Sequence, residues 1–268
     1  MPTLVLAPAR QLLTGGQPGQ EQTVEGQLAW AANEAGWTVV RPAPTDPPPA
    51  DPELALYVTT DVALATARAF ELALLEPPFD LLARLPDRLR LRPIEAARFV
   101  DLTRLRGPTF VKPADPLDKW FDAGVYRDVR DIRTKGQNRP DAPVLVAGVV
   151  SWAAELRYWV LEGKVVAGSP YLSLGRPNWS PGCAGGVPKA GLRTAEAAVA
   201  ALGNHLPPAV VIDVGAVEER GWAVVEFNPV WCAGVLGADP AAVLPALRRA
   251  TRRKAELTDA DRRWAFRW

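Results

Sequence analysis

The sequence predicts an α/β first third followed by an α+β remainder, and two observations carry this. From residue 3 to about residue 75, β-branched apolar runs alternate with helix-period stretches, the pattern of βαβ units that bury a parallel sheet under helices. Beyond Gly107-Pro108, paired apolar runs flank short polar turns, which signals antiparallel hairpins. A chain of 268 residues, 48% hydrophobic and 23% charged, suffices for one large globular domain or two closely associated ones.

The elements follow in order. TLVLA (3–7) reads as a strand, 21–35 as a helix closed by Gly36, and WTVV (37–40) as a second strand. After a proline-rich connection (42–52), LALYV (54–58) is a third strand, and Thr60 or Asp61 caps a helix running to about Leu75. Pro77-Pro78 ends the alternation, and two short helical stretches (79–85 and 94–104) lead to a boundary at Gly107-Pro108. TFVKP (109–113) is a short strand, and VLVAGVVSW (144–152) is a buried strand followed by a turn or hinge. AELRYWVL (154–161) and KVVAGS (164–169) form a hairpin around Glu162-Gly163, and 194–205 is an alanine-rich helix. A second hairpin (210–229), a helix (240–254) and a basic tail with Arg248, Arg249, Arg252, Arg253, Lys254, Arg262 and Arg263 close the chain. The tail reads as the solvated face of an amphipathic helix, or as a contact for a polyanion.

Composition excludes several classes. A net charge of +1 gives no overall attraction to nucleic acid or an anionic membrane. The N-terminal apolar run, broken by Arg10, is too short for a signal peptide, and no run reaches the ~18 apolar residues of a membrane span. Cys183 and Cys232 make no disulfide framework, so a cytoplasmic protein is expected. His205 is the only histidine; it reads as a helix-end residue, and zinc sites built on several histidines are excluded. Neither a P-loop nor a Rossmann fingerprint is present, and the glycines of Gly182-Cys183-Ala184-Gly185-Gly186, among prolines, read as a surface turn. Six lysines stand against 25 arginines, so each lysine invites the question of why a compact charge is kept there.

The second hairpin is the most informative stretch. With Glu219 and Arg220 as its central turn residues, Asp213 faces Glu226 and Val211 faces Asn228, and period two puts Asp213, Glu226 and Asn228 on one face. Facing carboxylates repel, a penalty that a divalent cation removes; two carboxylates and an amide are a hard-oxygen set suited to Mg²⁺. The alternative is a half-exposed ribbon whose polar side faces water. Lys112, held at a strand end by Pro113, and Lys119 are candidates for phosphate oxygens. Glu155 and Arg157, two apart on a strand, share a face. Lysines, an arginine and metal-binding carboxylates are the parts that phosphoryl transfer needs. A surface lysine, a strand-face ion pair and a solvated edge are the three separate coincidences the opposite reading requires.

Phe110-Val111-Lys112-Pro113, Glu155-Leu156-Arg157, Asp213 and Glu226-Phe227-Asn228-Pro229 together resemble the ATP-grasp superfamily, in particular the clade related to RimK-type peptide ligases. The likeness extends to Glu76-Pro77-Pro78, Gly168-Ser169-Pro170-Tyr171 and Trp231-Cys232-Ala233-Gly234. The resemblance implies an ATP-grasp fold, two α+β lobes (about 108–152 and 153–268) gripping ATP, preceded by a small βαβ pre-ATP-grasp domain (1–107). It implies that Lys112 and Lys119 hold ATP phosphates and that the backbone of Val149, Val150, Ser151 and Trp152 meets adenine. Glu155 would serve a ribose hydroxyl or orient Arg157, and Asp213, Glu226 and Asn228 would ligate Mg²⁺. Arg157 would meet the γ-phosphate or an acyl phosphate. The activity implied is ATP-dependent ligation of a carboxylate to an amine, the amine belonging to an amino acid, a peptide or a protein terminus. Ser169, Tyr171, Trp179 and Trp231 either line an acceptor pocket or pack. On this reading Glu226→Gln and Arg157→Ala keep the fold and lose turnover. A non-catalytic Mg·ATP-binding regulatory protein, a simple phosphotransferase and an interaction protein without nucleotide are the rival readings; the last is favoured if Lys112 and Glu226 lie far apart.

Overall fold

The computed structural model describes residues 1–6, 23–42, 46–103, 105, 107–115, 119–136, 139–173, 176, 177 and 188–266. The Gly182–186 run, Cys183 and Trp179 lie outside the described residues. The N-terminal third holds β1 (Thr3–Leu6), α1 (Val24–Glu34), β2 (Thr38–Val40), β3 (Leu54–Tyr57), α2 (Thr60–Ala69) and β4 (Leu72–Leu74). β2, β1 and β3 form a parallel sheet in that order, as the strand–helix alternation predicts. The helix expected to reach Leu75 instead ends at Ala69. Glu71 takes a left-handed φ of 51°, and Leu72–Leu74 becomes a strand whose partner is remote. A short apolar run reads equally well as helix or buried strand, and only the partner decides.

A 3-10 turn (Leu81–Arg84) and α3 (Asp87–Arg90) precede β5 (Ile94–Arg98). The second helical stretch expected at 94–104 is therefore corrected: its first part pairs antiparallel with β8 (Pro143–Ala147), a tertiary contact that overrides helix-favouring glutamate and alanines. With β6 (Thr109–Pro113) and β7 (Gly124–Tyr126) these make a four-stranded sheet, order β5-β8-β6-β7. Val111 turns to a small aromatic core of Trp120, Phe121 and Phe99, so Lys112 turns to the opposite face.

Residues 148–151 connect this sheet to β9 (Trp152–Leu161), which forms a long hairpin with β10 (Lys164–Ser173). β11 (Arg176–Pro177), α4 (Lys189–Leu202), β12 (Ala209–Val217) and β13 (Gly221–Asn228) follow, giving an antiparallel sheet of order β11-β10-β9-β12-β13. One face of it packs on α4 through Leu156, Tyr158, Val160, Ile212 and Val224. The other face carries Trp159 and Val211 into a core shared with the N-terminal sheet and with α5 (Pro240–Ala250). The helix expected to run to Lys254 stops at Ala250; β14 (Thr251–Arg253) pairs with β4, and α6 (Asp259–Arg262) follows. Tail arginines bond within the chain: Arg249 to Glu162 and Asp261, and Arg253 to the carbonyls of Pro49 and Asp51. Among the described residues no helix is long and apolar enough to cross a membrane.

The β12–β13 hairpin holds two compensating departures from the simplest register. Val217 pairs with Gly221, so three residues form the loop, with Glu219 and Gly221 left-handed at φ 57° and 100°. The extra loop residue is offset by a bulge at Val225, beyond which Asp213 faces Glu226 and Val211 faces Asn228 as expected.

Candidate active site

β9, β12 and β13 place Arg157, Asp213 and Glu226 in one row: Asp213 pairs with Arg157 on one side and Glu226 on the other. Asp213 is fully buried. Arg157 donates from Nε to Oδ1 at 2.8 Å and from Nη2 to Oδ2 at 2.7 Å, the bidentate geometry that suits a guanidinium and a carboxylate. Arg157 also donates to the Gly234 carbonyl at 3.2 Å and stacks on Tyr171, 4.8 Å from the ring centre. Asn228 donates from Nδ2 to Asp213 Oδ2 and to Glu226 Oε1, both at 3.0 Å.

Lys112 reaches this row from the four-stranded sheet and bonds Glu226 Oε2 at 2.7 Å, so two residues 114 apart in sequence meet across the two sheets. Beside this pair lies a cleft lined by Pro77, Pro78, Phe79, Leu82, Ala114, Leu145 and Phe227. Val149, Val150, Ser151 and Trp152 are not among these lining residues; Val149 is half exposed on the connection between sheets, and Trp152 opens β9. Lys119 is exposed, in the electrostatic surroundings of Cys232. Glu155 is buried on the same face as Arg157.

Electrostatics separate the three acids. Burial pushes Glu155 up to about 7, helped by the neighbouring charges of Asp213 and Glu226. Burial likewise raises Asp213, to about 6, against the opposing pull of Arg157, and leaves it ionised at neutral pH. Burial raises Glu226 too, but the Lys112 ammonium and the Asn228 amide outweigh it and hold the carboxyl at about 2. Desolvation works against the Arg157 charge, yet Asp213 holds it above the ordinary arginine range. Two ionised acids thus face two cations.

This donor set fits a hard divalent cation. Among the described residues no group of three or more histidines, cysteines or acids is gathered for a metal. Asn228 adds an amide to the two carboxylates. Its terminal nitrogen stands 3.0 Å from an oxygen of each carboxylate, and a half-turn of the amide puts its carbonyl oxygen there instead.

Two features carry no clear signal in the sequence, and the alternative left open for Trp231 and Ser169 is decided. Glu76 is pushed up to about 8 by burial and by Asp115, with no local signal beyond Glu-Pro-Pro. The Gly234 carbonyl and the Tyr171 ring fix the Arg157 plane; Tyr171 was read only as an acceptor-pocket or packing residue. Trp231 is fully buried and donates to the Leu75 carbonyl at 3.1 Å, and buried Ser169 accepts from the Gly237 amide at 2.9 Å. Those two are packing residues. His205 ends the short 3-10 turn after α4, exposed, as expected.

No curated protein sequence matches the chain. Its fold is similar to that of D-cycloserine synthetase DcsG, at 11% identity and a TM-score of 0.57 over 92% of this chain and 99% of that one. It is also similar to N5-carboxyaminoimidazole synthetase from Staphylococcus aureus, at 10% identity and a TM-score of 0.52 over 92% of this chain and 77% of that one. Residues 89–246, which hold every strand of the row above together with Lys112, match the model of the ATP-grasp domain, R-2-K clade family 2. The chain belongs to that family of ATP-grasp domains.

Proposed function

We propose that this chain is an ATP-dependent carboxylate–amine ligase, Mg²⁺-dependent and working through an acyl phosphate. The observation that carries the reading is the meeting of Lys112 and Glu226 at 2.7 Å, where Asp213 and Asn228 converge from the same hairpin. Asp213, Glu226 and Asn228 would hold the cation, which when bound would neutralise phosphate oxygens. Lys112 and Arg157, which border the same carboxylates, are the cations that the chain itself offers to phosphate oxygens. Arg157, held flat by Tyr171 and Gly234, then faces the transferred phosphoryl group. The substrate carboxylate attacks the γ-phosphorus and ADP leaves; the amine nitrogen attacks the acyl carbon, loses a proton and expels inorganic phosphate. Lys119 is the proposed second phosphate contact, Val149, Val150, Ser151 and Trp152 the adenine edge, and Glu155 the ribose contact or the orienting partner of Arg157. We also propose the division into 1–107 and 108–268, with lobes of about 108–152 and 153–268; β5 is then a strand that the first part lends to the sheet of the second.

Calorimetric titration of Mg·ATP into wild type and Glu226→Gln, with and without EDTA, tests the cleft. Metal-dependent binding that weakens at least tenfold in the variant is expected, followed by ADP release with some carboxylate and amine pair. Binding without ADP release from any pair would point to a regulatory nucleotide-binding protein, and no binding by folded wild type would end the nucleotide reading altogether.

A further inference from the structure

The Asp213, Glu226 and Asn228 side chains share a face only because β13 carries its bulge at Val225. Without it, the pairing that runs from Val217–Gly221 to Val214–Val224 would continue unbroken. Val225 would then face Asp213, and Glu226 would fall opposite the fully buried Ile212 on the other face. A regular ladder is the cheaper arrangement for the hairpin alone, so something outside it has to favour the bulge.

Arg92 does so. Its Nη1 donates to the Val224 carbonyl at 3.0 Å and to the Arg90 carbonyl at 2.9 Å, and its Nη2 donates to the Val225 carbonyl at 3.2 Å. Successive carbonyls of a flat strand point to opposite sides, so one guanidinium reaches two in a row only where the strand is kinked. Among the described residues β13 is an edge strand, with no further strand on its outer side. The guanidinium is itself fixed: it stacks on Trp152, 4.9 Å from the ring centre. Leu91 before it is left-handed at φ 50°, and the Leu91 carbonyl accepts from Arg220 at the hairpin tip. Pro93 after it accepts from the Gly148 amide at 3.0 Å, on the connection between the two sheets.

We propose that Arg92 is a positioning residue for the cation ligands: it holds the Val225 bulge, and through it the register that turns Glu226 and Asn228 towards Asp213. The proposal rests on reading those three residues as the cation site, and it ties that site to the connection at Gly148.

The test uses Arg92→Ala and Arg92→Lys in the full chain, with two readouts. The first is residue-resolved hydrogen exchange in EDTA without nucleotide, which does not depend on any activity. In Arg92→Ala the amides of residues 224–228 are expected to exchange at least tenfold faster while those of β1 and β3 keep their wild-type rates. Arg92→Lys, which keeps a charge over Trp152 and can reach one carbonyl, recovers part of the protection. The second readout is calorimetric: metal-free ATP binding stays within about twofold of wild type, and the gain on adding Mg²⁺ drops at least tenfold. Unchanged exchange at 224–228, or faster exchange spread evenly over the chain with no recovery by lysine, overturns the proposal. If the alanine variant does not fold, the lysine variant decides by the same local-against-uniform pattern. A wild type that binds no Mg·ATP sinks the ligase reading, while the exchange pattern still decides the role of Arg92.

Discussion

Replacing Arg157 by leucine strands a carboxylate in the interior. Asp213 is fully buried, and both of its oxygens are held by Arg157, at 2.8 and 2.7 Å; what is left is the 3.0 Å bond from Asn228. Removing one partner of a buried pair costs about 3–5 kcal/mol, most of it the uncompensated charge left behind. For 268 residues, an unfolding entropy of ~2.1 cal/mol/K per residue makes each kcal/mol worth about 2 °C. Arg157→Leu should therefore lower Tm by about 5–9 °C at pH 8. The loss depends on pH with a definite sign. The Asp213 carboxyl already stands raised, at about 6, with its guanidinium present, and goes higher without it. In the variant the folded chain keeps a proton that the unfolded chain gives up near ~4, so stability falls as pH rises from there through the folded value. At pH 4.5 the gap to wild type should shrink to less than half. Thermal unfolding followed by near-ultraviolet circular dichroism in EDTA, at pH 4.5 and pH 8, measures both gaps. Equal gaps at the two pH values, or no gap at pH 8, would refute the stranded-charge argument. Arg157→Ala leaves the same carboxylate unpaired, so Arg157→Lys is the cleaner probe of turnover.

Two further outcomes are expected. Glu155, raised from 4.5 to about 7 by burial, binds a proton in the folded state that the unfolded chain has released, which draws stability down between those pH values by up to ~3 kcal/mol. Glu155→Gln should then raise Tm above wild type at pH 8 and leave it unchanged at pH 4, measured without metal or nucleotide; a parallel shift at both would contradict the assignment. A Cβ at Gly215 would stand 2.3 Å from the Trp152 ring, so Gly215→Ala must displace that ring at the start of β9. A cost of about 1–3 kcal/mol in urea unfolding is expected, with a changed Trp fluorescence; a neutral variant would mean the ring moves freely.

The site was legible in the sequence where chemistry and periodicity coincide. Asp213, Glu226 and Asn228 share a face, and the pairings that a two-residue turn predicts hold at the site, although the loop has three residues. Two local errors cancelled: the loop has one residue more than a two-residue turn, and the Val225 bulge returns it. Neither is visible locally, because the bulge is held by Arg92, more than a hundred residues earlier. The elements misread, Leu72–Leu74, Ile94–Arg98 and Thr251–Arg253, are short strands whose partners lie far along the chain. Their sequences carry helix formers and no alternation long enough to betray a strand. The Arg157–Asp213 pair was also hidden: period two put each residue on a face, but which strand lies beside which is a matter of topology.

The pairing of β14 with β4 has a consequence for synthesis. Leu72–Leu74 waits for Thr251–Arg253, and the Thr251 hydroxyl accepts from the Leu56 amide across a separation of 195 residues. The parallel sheet likewise waits for α5 to cover it. During synthesis the N-terminal sheet therefore has an apolar side that stays uncovered until α5 and β14 have been made. Order in the N-terminal sheet depends on residues near Thr251, so a lesion that dislodges β14 is felt at Leu56 and Leu72–Leu74 on the far side of the sequence.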